Sequence, residues 1–469
     1  MAKTNYINNE ILYVNPIKIF EQNNKICLYL INNSAIYTID KDTKTILQST
    51  GKSYKDIYNN LSCTWSEDKF NEIIQQMIEC EIIRSDNNLI NNNSIKANNI
   101  TGLILLIIQD CNLRCSYCYG DGGEYNNKGI MSFDTAKKSI DYLINQSGDK
   151  KDLFITFFGG EPLLRFDFIK ELVNYIHTVE KLYNKKFHFS MTCNGTLLNQ
   201  KITNFILENN ISVTISIDGN EEVHNFNRYF SNKSGSYSKV IENSKQLRNS
   251  TKVLARATVT NKELNVNHIY SHLYNLGFSK VNIAPCINKI SKDEYLTLTD
   301  SYVSLVHSFS QFIKNKKFKE AKKITTVMKV LSKIHFSSKS NCFCGAGKNM
   351  LAVDINGFFY PCQRFVGTKE FIMGSAFNGL NTNNCNKILS SFSIENHKDC
   401  NNCWCKNICG GGCPYENFES NSACNIPHKE SCSLNKKFIE EIIYAYINLS
   451  DKDKYALFEN KGSVLSNEV

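Results

Sequence analysis

Two hydrophobic patterns divide the chain. In residues 1–90, apolar and polar positions alternate through KIFEQNNKICLYLINNSAIYTID, which predicts two or three antiparallel strands, and three amphipathic helical segments follow. The third helix begins after Ser66, a favourable N-cap, and its apolar residues from Phe70 to Ile78 share one face. Strands followed by three helices predict a winged-helix-like α+β module. The polar stretch over residues 91–100 predicts a linker.

From residue 101 the pattern changes to short apolar runs that alternate with amphipathic helical segments. The predicted strands are LILLIIQ, LFITFFG, FHFSMTC, SVTISID, VLARATVT and KVNIAP. Nearly continuous apolar strands of this kind are typical of a parallel sheet that is buried on both faces. Six such units predict a partial (β/α)6 barrel of the TIM type, and with a helical bridge this domain covers residues 101–340. Its functional residues are expected at the carboxyl ends of the strands.

Composition narrows the choice of chemistry. The net charge of +9, from 54 basic and 45 acidic side chains among 469 residues, is mild and does not by itself indicate nucleic acid binding. No secretory signal is visible at the start, and the longest apolar run, GLILLII, is too short to cross a bilayer. We therefore expect a cytoplasmic protein with no membrane segment. Nineteen cysteines in such a protein predict metal or cluster binding rather than disulfides.

The segment CNLRCSYCYG follows the first predicted barrel strand and contains Cys111, Cys115 and Cys118. Three thiolates at this spacing can bind three irons of a [4Fe–4S] cluster and leave the fourth iron open to a small molecule. Zinc with a fourth ligand elsewhere in the chain is the alternative.

This segment, followed about forty residues later by FFGGEPLL, resembles the radical S-adenosylmethionine (SAM) superfamily. The resemblance implies that Cys111, Cys115 and Cys118 bind the cluster, and that the methionine group of SAM fills the open iron. It also implies reductive cleavage of SAM to a 5′-deoxyadenosyl radical that abstracts a hydrogen atom from the substrate. The protein then supplies orientation, electrons and exclusion of side reactions.

The same resemblance implies contacts with SAM itself. Tyr117 stands where the family places an aromatic or apolar residue against the adenine. Gly159, Gly160 and Glu161 match the family's glycine-rich turn, which contacts the methionine amine. Two glycines at a strand end allow a close backbone approach, and a carboxylate suits an ammonium group. Taken alone, GGEP is most often an ordinary turn.

The segments MTCNGTLL and SISIDG also resemble strand ends of the family branch that modifies peptides and proteins. They imply that Asn194, Ser216 and Asp218 meet the ribose or the carboxylate of SAM, although Asn-Gly and Asp-Gly are also turn formers. Arg256 is expected either to pair with a carboxylate in the barrel or to form a structural ion pair. His224 is expected to be structural.

A second set of cysteines begins after residue 340, and its spacing resembles the SPASM extension of radical SAM enzymes, here residues 341–450. The resemblance implies two auxiliary [4Fe–4S] clusters, hence three clusters in all. The ligands implied for the first are Cys344, Cys362 and Cys413. Those implied for the second are Cys400, Cys403, Cys409 and Cys432, with Cys424 as the alternative to Cys432. Cys342, Cys385 and Cys405 are then spare. A pair of zinc ribbons is the competing interpretation.

Residues around the first auxiliary group refine the prediction. Related sulfatase-maturing enzymes carry an aspartate directly after the cysteine that matches Cys362, whereas this chain has Gln363. The segments CGAG and YPCQRFVGTKEFIMG resemble maturases that form thioether links in cysteine-rich ribosomal peptides, the sactipeptide and ranthipeptide groups. There, a substrate cysteine docks on the open first auxiliary cluster. In this chain Cys342 is a possible fourth ligand that would close it.

The front module resembles the element with which such maturases recognise the leader of their precursor peptide. An extended peptide would add to a strand edge near Leu28–Ile36 and contact the helix from Ser66 to Glu81. A DNA-binding winged helix is the alternative, but its third helix, SEDKFNEIIQQMIECE, has five acidic residues and one lysine. The predicted partners are therefore a precursor peptide and a flavodoxin- or ferredoxin-type reductant, without nucleic acid.

These observations predict a radical SAM peptide maturase that forms thioether links from a cysteine sulfur to an α, β or γ carbon. Two alternatives remain open. One is radical chemistry with another outcome, such as a carbon–carbon crosslink, epimerisation or oxidation. The other is a non-enzymatic iron–sulfur or zinc regulator that binds DNA. No catalytic side chain beyond the ligands is assigned, and residues 451–469 are predicted to be a C-terminal tail.

Overall fold

The computed structural model describes residues 10–22, 24–61, 65–84, 99–250 and 253–459. Most of the predicted linker, residues 91–98, lies outside the described residues. Residues 460–469 of the predicted tail also lie outside them.

Residues 10–84 form a small α+β unit. Its elements are β1 (Tyr13–Val14), β2 (Ile17–Gln22), β3 (Lys25–Leu30), β4 (Ala35–Ile39), α1 (Lys41–Gln48), α2 (Tyr54–Leu61), α3 (Glu67–Glu79) and β5 (Ile83–Arg84). Ser66 caps α3 as predicted, since its hydroxyl accepts a hydrogen bond from the Lys69 amide. Phe70 and Ile74 of α3 are fully buried with Leu28 of β3 in the unit's own core.

Strand β3 lies in the middle of this sheet, because it pairs antiparallel with β2 on one side and with β4 on the other. The predicted peptide-binding strand, Leu28–Ile36, begins in β3 and therefore needs correction. The backbone groups of Leu28–Leu30 already form sheet hydrogen bonds on both sides. The edge on that side of the sheet is β4, which begins only at Ala35.

The other face of the sheet packs against the C-terminal part of the chain. Phe20 and Tyr29 are buried, and their ring centroids lie 5.5 and 6.2 Å from that of Trp404. Asn407 donates a hydrogen bond from its side chain to the carbonyl of Ile31. The front unit thus packs, through aromatic contacts, against the segment around Trp404 that contains the last group of cysteines.

Strands and helices alternate from residue 102. The elements are β6 (Gly102–Gln109), β7 (Leu113–Cys115), β8 (Gly129–Ile130), α4 (Phe133–Gln146), β9 (Asp152–Gly159), α5 (Phe166–Tyr183), β10 (Lys186–Cys193), α6 (Gln200–Glu208), β11 (Ser212–Ser216), α7 (Glu221–Asn227), β12 (Arg228–Phe230), α8 (Tyr237–Ser250), β13 (Val253–Val259), α9 (Val266–Asn275) and β14 (Lys280–Pro285). Six strands pair in parallel in the order β6-β9-β10-β11-β13-β14. All six coincide with the predicted strands, and β6 is buried along its whole length.

A helical bridge and a mixed region complete the described chain. The elements are α10 (Glu294–Lys314), α11 (Phe318–Ala321), α12 (Thr325–His335), β15 (Met350–Val353), β16 (Phe358–Tyr360), β17 (Gly374–Ser375), β18 (Gly379–Leu380), α13 (Thr382–Phe392), α14 (Lys398–Asn401), α15 (Lys406–Cys409), α16 (Pro414–Asn421), α17 (Lys429–Ile447) and α18 (Asp451–Phe458). Strand β15 pairs in parallel with β6 and continues through β16–β18, so the sheet extends on the β6 side and does not close into a barrel.

The region after residue 341 has no separate core among its described residues, because its buried side chains join the main hydrophobic core of the large sheet.

The start of the predicted tail forms the helix α18. Asp453 of this helix forms an ion pair with Lys316, with Nζ and Oδ1 2.9 Å apart. Within the described ranges, every helix is too short or too polar to cross a lipid bilayer.

Candidate functional site

The three cysteines of the first group lie at the carboxyl end of β6. Cys111 lies two residues after the strand, and Cys115 ends β7, where it pairs with Arg228 of β12. Burial, and then the charges of Glu161 and the other two thiols, raise the pKa of Cys111 to about 12. The pKa of Cys115 is raised to about 11, because burial and, less strongly, Cys118 outweigh the opposing charge of Arg228. The three thiols are therefore close enough to influence one another, as the cluster prediction requires.

Three cysteines whose thiols influence one another are a donor set that fits three irons of a [4Fe–4S] cluster. In the part of the chain that the structure describes, no three His, Cys, Asp or Glu side chains are arranged to hold one metal ion. Each cysteine of a [4Fe–4S] cluster binds a different iron, so its ligand sulfurs stand apart. Thiols with raised pKa values need a strong cationic centre to become thiolate ligands, and a cluster supplies one. None of the described cysteines forms a disulfide.

The glycine turn brings β9 against the cysteine loop. A Cβ atom on Gly159 would lie 2.1 Å from the Ile108 carbonyl oxygen, and one on Gly160 would lie 2.0 Å from that of Asp110. The Gly160 amide donates a 3.0 Å hydrogen bond to the Ile108 carbonyl, and the Glu161 amide donates one of 3.0 Å to the Asp110 carbonyl. Both positions therefore need glycine so that the two strand ends can contact each other. This contact explains the two glycines without the predicted contact with a ligand.

Glu161 is fully buried between two strand ends. Its carboxylate accepts hydrogen bonds from the Leu163 amide at 3.1 Å and from the Asn194 amide at 2.7 Å. Burial nevertheless raises the pKa of Glu161 to about 7. The side chain of Asn194 lies beside the loop, because its amide group donates to Asn112 at 2.8 Å and approaches the Cys111 sulfur at 3.9 Å. Both predicted contacts with SAM therefore lie next to the first cysteine.

Asp218 holds a buried network on the other side of the loop. Its carboxylate accepts hydrogen bonds from the Tyr117 hydroxyl at 2.5 Å, from Arg228 Nε at 3.1 Å and from the Thr258 amide at 3.0 Å. Arg228 Nη1 lies 3.7 Å from the Cys115 sulfur, and its guanidinium lies 5.2 Å from the Tyr117 ring centre. Asp218 and the hydroxyl of Tyr117 are thus engaged with protein groups.

His224 supports this network from behind. Its Nδ1 accepts a hydrogen bond from the Asp218 amide at 3.4 Å, and its Nε2 lies 2.9 Å from the Ser236 hydroxyl. Burial lowers the pKa of His224 to about 4, so the ring is neutral at physiological pH. These contacts agree with the structural role expected for His224.

Ser216 and Arg256 are cross-strand neighbours on β11 and β13, and Asn282 of β14 lies next to Arg256. Arg256 Nη1 donates to the Asn282 side chain at 2.8 Å. Burial lowers the pKa of Arg256. Among the described carboxylates none forms an ion pair with Arg256, although Arg228 does pair with Asp218. The structural ion pair considered for Arg256 is therefore not found among the described residues, and Arg256 Nη1 instead donates to Asn282 and to the Ala257 carbonyl at 3.3 Å.

Cys344, Cys362 and Cys413 form the second group. Burial, and then the thiols of Cys413 and Cys344, raise the pKa of Cys362 to about 12. Burial and Cys413 raise the pKa of Cys344 to about 11. The spare Cys342 lies next to this group, but its thiol donates to the Cys344 carbonyl at 3.0 Å.

The third group contains the other four predicted ligands and one spare cysteine. Its members are Cys400, Cys403, Cys405, Cys409 and Cys432. Burial, followed by Cys409, Cys403 and Cys432, raises the pKa of Cys400 to about 12. The Cys405 thiol hydrogen-bonds to Cys403 with the sulfurs 3.5 Å apart, which lowers the pKa of Cys403 to about 6. Cys424 lies elsewhere, near Cys413 and the hydroxyl of Ser391. This arrangement favours Cys432 over Cys424.

Three side chains near these groups were missed by sequence reasoning: Arg228, Arg364 and Cys286. Arg364 Nη1 lies 3.6 Å from the Cys413 sulfur and 2.9 Å from Glu416. Cys286 follows β14, and its thiol is influenced by Arg364 and Glu419. Only their positions in the sequence could have indicated two of them, since Arg364 stands two residues after a predicted ligand and Cys286 directly follows the last predicted barrel strand.

Residues 105–268 match the family model described as Radical SAM superfamily. The chain is 28% identical over 357 residues to a cysteine-type anaerobic sulfatase-maturating enzyme of Clostridium novyi, covering 71% of this chain and 92% of that protein. It is 23% identical over 486 residues to the radical SAM cyclopropyl synthase TigE of Paramaledivibacter caminithermalis, covering 96% and 98% of the two chains.

Among solved structures, native anSMEcpe with bound AdoMet and Cp18Cys peptide matches with a TM-score of 0.62 and 22% identity, covering 74% of this chain and 98% of that one. This likeness shows a shared fold. Together with the three cysteines at the end of β6, the family match and the relatives support a radical SAM enzyme related to the maturases that modify peptides and proteins.

Proposed function

We propose that the chain installs thioether crosslinks in a ribosomally synthesised, cysteine-rich precursor peptide, from a cysteine sulfur to an α, β or γ carbon. One observation carries the proposal: Tyr119, which follows Cys118 of the first cysteine group, reaches the surroundings of the second group. The ring centre of Tyr119 lies 6.2 Å from that of Tyr415 and 5.5 Å from the guanidinium carbon of Arg364, and Arg364 Nη1 lies 3.6 Å from the Cys413 sulfur. A substrate sulfur held at the second group would then lie beside the centre where the radical forms.

Cys111, Cys115 and Cys118 would hold the first cluster. With SAM bound and an electron from a flavodoxin- or ferredoxin-type reductant, this centre supplies a 5′-deoxyadenosyl radical that abstracts hydrogen from carbon. The guanidinium of Arg256 has no ion-pair partner among the described carboxylates, so it suits the carboxylate of SAM, and Ser216 lies next to Arg256. Glu161 suits the ammonium group, since an adjacent cation would stabilise its buried carboxylate.

Cys344, Cys362 and Cys413 would hold the first auxiliary cluster with one iron free for the donor cysteine. The contact of the Cys342 thiol with the Cys344 carbonyl supports this open state, because the thiol is engaged by backbone. Gln363 supports thioether formation over sulfatase maturation, because an amide cannot act as the base that an aspartate provides at this position. Cys400, Cys403, Cys409 and Cys432 would hold the second auxiliary cluster, which would carry electrons away.

The front unit would bind the precursor's leader along β4. The strand is an edge, so an extended peptide can add to it by backbone hydrogen bonds. The end of α3 lies close by, since Asn33 before β4 donates to Glu81 at 3.4 Å and the Cys80 thiol influences Tyr37. A peptide seated there would contact a strand and a helix at once.

Carbon–carbon bond formation is the second candidate. The observation that favours it is the alignment with the cyclopropyl synthase TigE, which includes 96% of this chain and therefore its front unit. Both outcomes use the same radical and differ in the atom that captures the substrate carbon.

Mass spectrometry of a co-expressed precursor separates the two outcomes. A thioether removes two hydrogens per link and leaves the donor thiol resistant to alkylation. A cyclopropane also removes two hydrogens but leaves every thiol open to alkylation. The matched control is the C111A/C115A/C118A variant, which should return unmodified peptide. Modified peptide whose thiols are all alkylated would refute the thioether proposal.

Anaerobic metal analysis tests the cofactors independently of the product. Three [4Fe–4S] clusters require about twelve irons per chain. We expect this content in reconstituted wild type and about eight in the C111A/C115A/C118A variant. Stoichiometric zinc with no iron would refute the enzyme proposal.

A further inference from the structure

Arg364 connects the second cysteine group to a carboxylate. It lies in the short turn Gln363–Phe365, which follows Cys362 directly. Its Nη1 is 3.6 Å from the sulfur of Cys413 and 2.9 Å from Glu416 Oε1. The side chains of Arg364 and Glu416 are only 25% and 19% exposed, so water screens the pair weakly.

Two aromatic rings fix the orientation of the guanidinium. Its carbon lies 4.4 Å from the ring centre of Tyr415 and 5.5 Å from that of Tyr119. Tyr119 follows Cys118, so Arg364 reaches from the second cysteine group toward the first. Stacking between two tyrosines keeps one Nη donor directed at the Cys413 sulfur.

The first cysteine group has the same arrangement of charges. Arg228 Nη1 lies 3.7 Å from the Cys115 sulfur, and Arg228 Nε lies 3.1 Å from Asp218. At the third group the nearby cation is a lysine, Lys436, whose pKa is raised first by Cys403 and then by Cys432. An arginine that spans a ligand sulfur and a carboxylate is therefore a feature of the two groups nearest the radical chemistry.

We propose that the Arg364–Glu416 pair sets the reduction potential of the first auxiliary cluster. The proposal rests on the function proposed above, which assigns Cys344, Cys362 and Cys413 to that cluster. Reduction adds one negative charge to the cluster, so a cation against a ligand sulfur stabilises the reduced state. The carboxylate of Glu416 offsets part of this effect, because it holds the opposite charge on the same guanidinium.

The two members of the pair should act with opposite signs. R364Q removes the cation and leaves Glu416 charged, so the midpoint potential falls. E416Q removes the anion and leaves Arg364 near Cys413, so the potential rises. We expect each change to alter the ratio of reduced to oxidised cluster at a fixed potential by about tenfold, which is about 59 mV for one electron. The double variant R364Q/E416Q should lie between the single variants.

The experiment is an EPR-monitored titration with dithionite as the reductant. It uses the full chain in the C111A/C115A/C118A background, in which only auxiliary clusters contribute to the signal. The second auxiliary cluster serves as the internal reference, and its potential should stay constant. R364K is the charge control and should give a potential between those of wild type and R364Q, because it keeps the cation but loses the stacked guanidinium.

Iron content separates this proposal from the function on which it rests. If the background variant binds no auxiliary cluster at all, the proposed function fails and not merely the role of Arg364. If the clusters assemble but R364Q and E416Q shift the potential in the same direction, or neither shifts it, the proposal is overturned. E416Q keeps the contact between Arg364 and Cys413. The direction of its shift in midpoint potential therefore tests the proposal even if R364Q binds less iron.

Discussion

The cysteine loop after β6 and the cysteine-rich region after residue 341 hold their ligands in different ways. Cys111 lies two residues after β6 of the large sheet, and Cys115 ends β7, which pairs with β12 beside that sheet. Cys400 and Cys409 instead belong to helices of four residues each, α14 and α15. Elements this short gain little stability from their own hydrogen bonds. We therefore expect the later region to depend more on bound clusters for its order than the cysteine loop after β6 does.

The largest expected effect comes from removing ligands in the two regions. C400A/C403A should unfold much of residues 382–432, because cluster binding there is also folding energy. C111A/C115A/C118A should keep its fold, since the sheet does not need the cluster. Limited proteolysis under anaerobic conditions should cut C400A/C403A within this segment and leave the triad variant intact. Equal resistance of the two variants to proteolysis would contradict the proposed difference between the two regions.

We expect contacts between the front unit and the cysteine-rich region to contribute to the free energy of unfolding. Phe20 is 1% exposed and contacts Trp404, which stands between Cys403 and Cys405. F20A should lower the free energy of unfolding by about 3–5 kcal/mol, the usual cost of deleting a buried aromatic ring. Chemical denaturation measures this, with exposed Lys18 on the same strand as the control in K18A. A loss below about 1 kcal/mol would show that the interface contributes little.

At the barrel end, Glu161 should make stability depend on pH. Its folded-state pKa of about 7 exceeds the ordinary value of 4.5. The folded state therefore binds more protons than the unfolded state between these values, and stability falls as the pH rises through this window. From pH 4.5 to 7, wild type should lose on the order of 3 kcal/mol relative to E161Q.

Denaturation of the cluster-free protein at several pH values measures this loss. The matched control is E171Q, which alters an exposed carboxylate on α5 and should track wild type. A constant difference between wild type and E161Q across the window would contradict the assignment.

The smallest expected effect concerns the glycine turn. G160A places a Cβ 2.0 Å from the Asp110 carbonyl, so the strand end must move away from the cysteine loop. We expect a loss of about 1–3 kcal/mol together with weaker cluster retention. G277A is the control: its site has open space and a φ of +87°, so only backbone strain of about 1 kcal/mol should appear, without iron loss.

The barrel strands could be predicted from the sequence because each is a short apolar run between amphipathic helices. The pairing of β15 with β6 could not, since Met350–Val353 is only four residues long and lies more than two hundred residues from its partner. The central position of β3 was missed for a related reason. Alternation in the sequence identifies strands but not which of them forms the edge.

The cysteines of the site could be assigned from spacing, whereas their electrostatic surroundings could not. Arg228 reaches Cys115 only because β12 pairs with β7, a contact across 113 residues. The predicted contact of Asp218 with SAM came from the resemblance of SISIDG to strand ends of the family. The sequence did not show that Arg228 and Tyr117 both donate hydrogen bonds to the Asp218 carboxylate. Contacts of this kind depend on tertiary pairing that local patterns do not contain.

The most direct test is the formation of 5′-deoxyadenosine by anaerobically reconstituted protein with SAM, dithionite and the precursor peptide. Wild type should produce it, and C111A/C115A/C118A should produce none although its auxiliary clusters remain. Absence of 5′-deoxyadenosine from fully reconstituted wild type, or its continued formation by the triad variant, would contradict the assignment of these three cysteines.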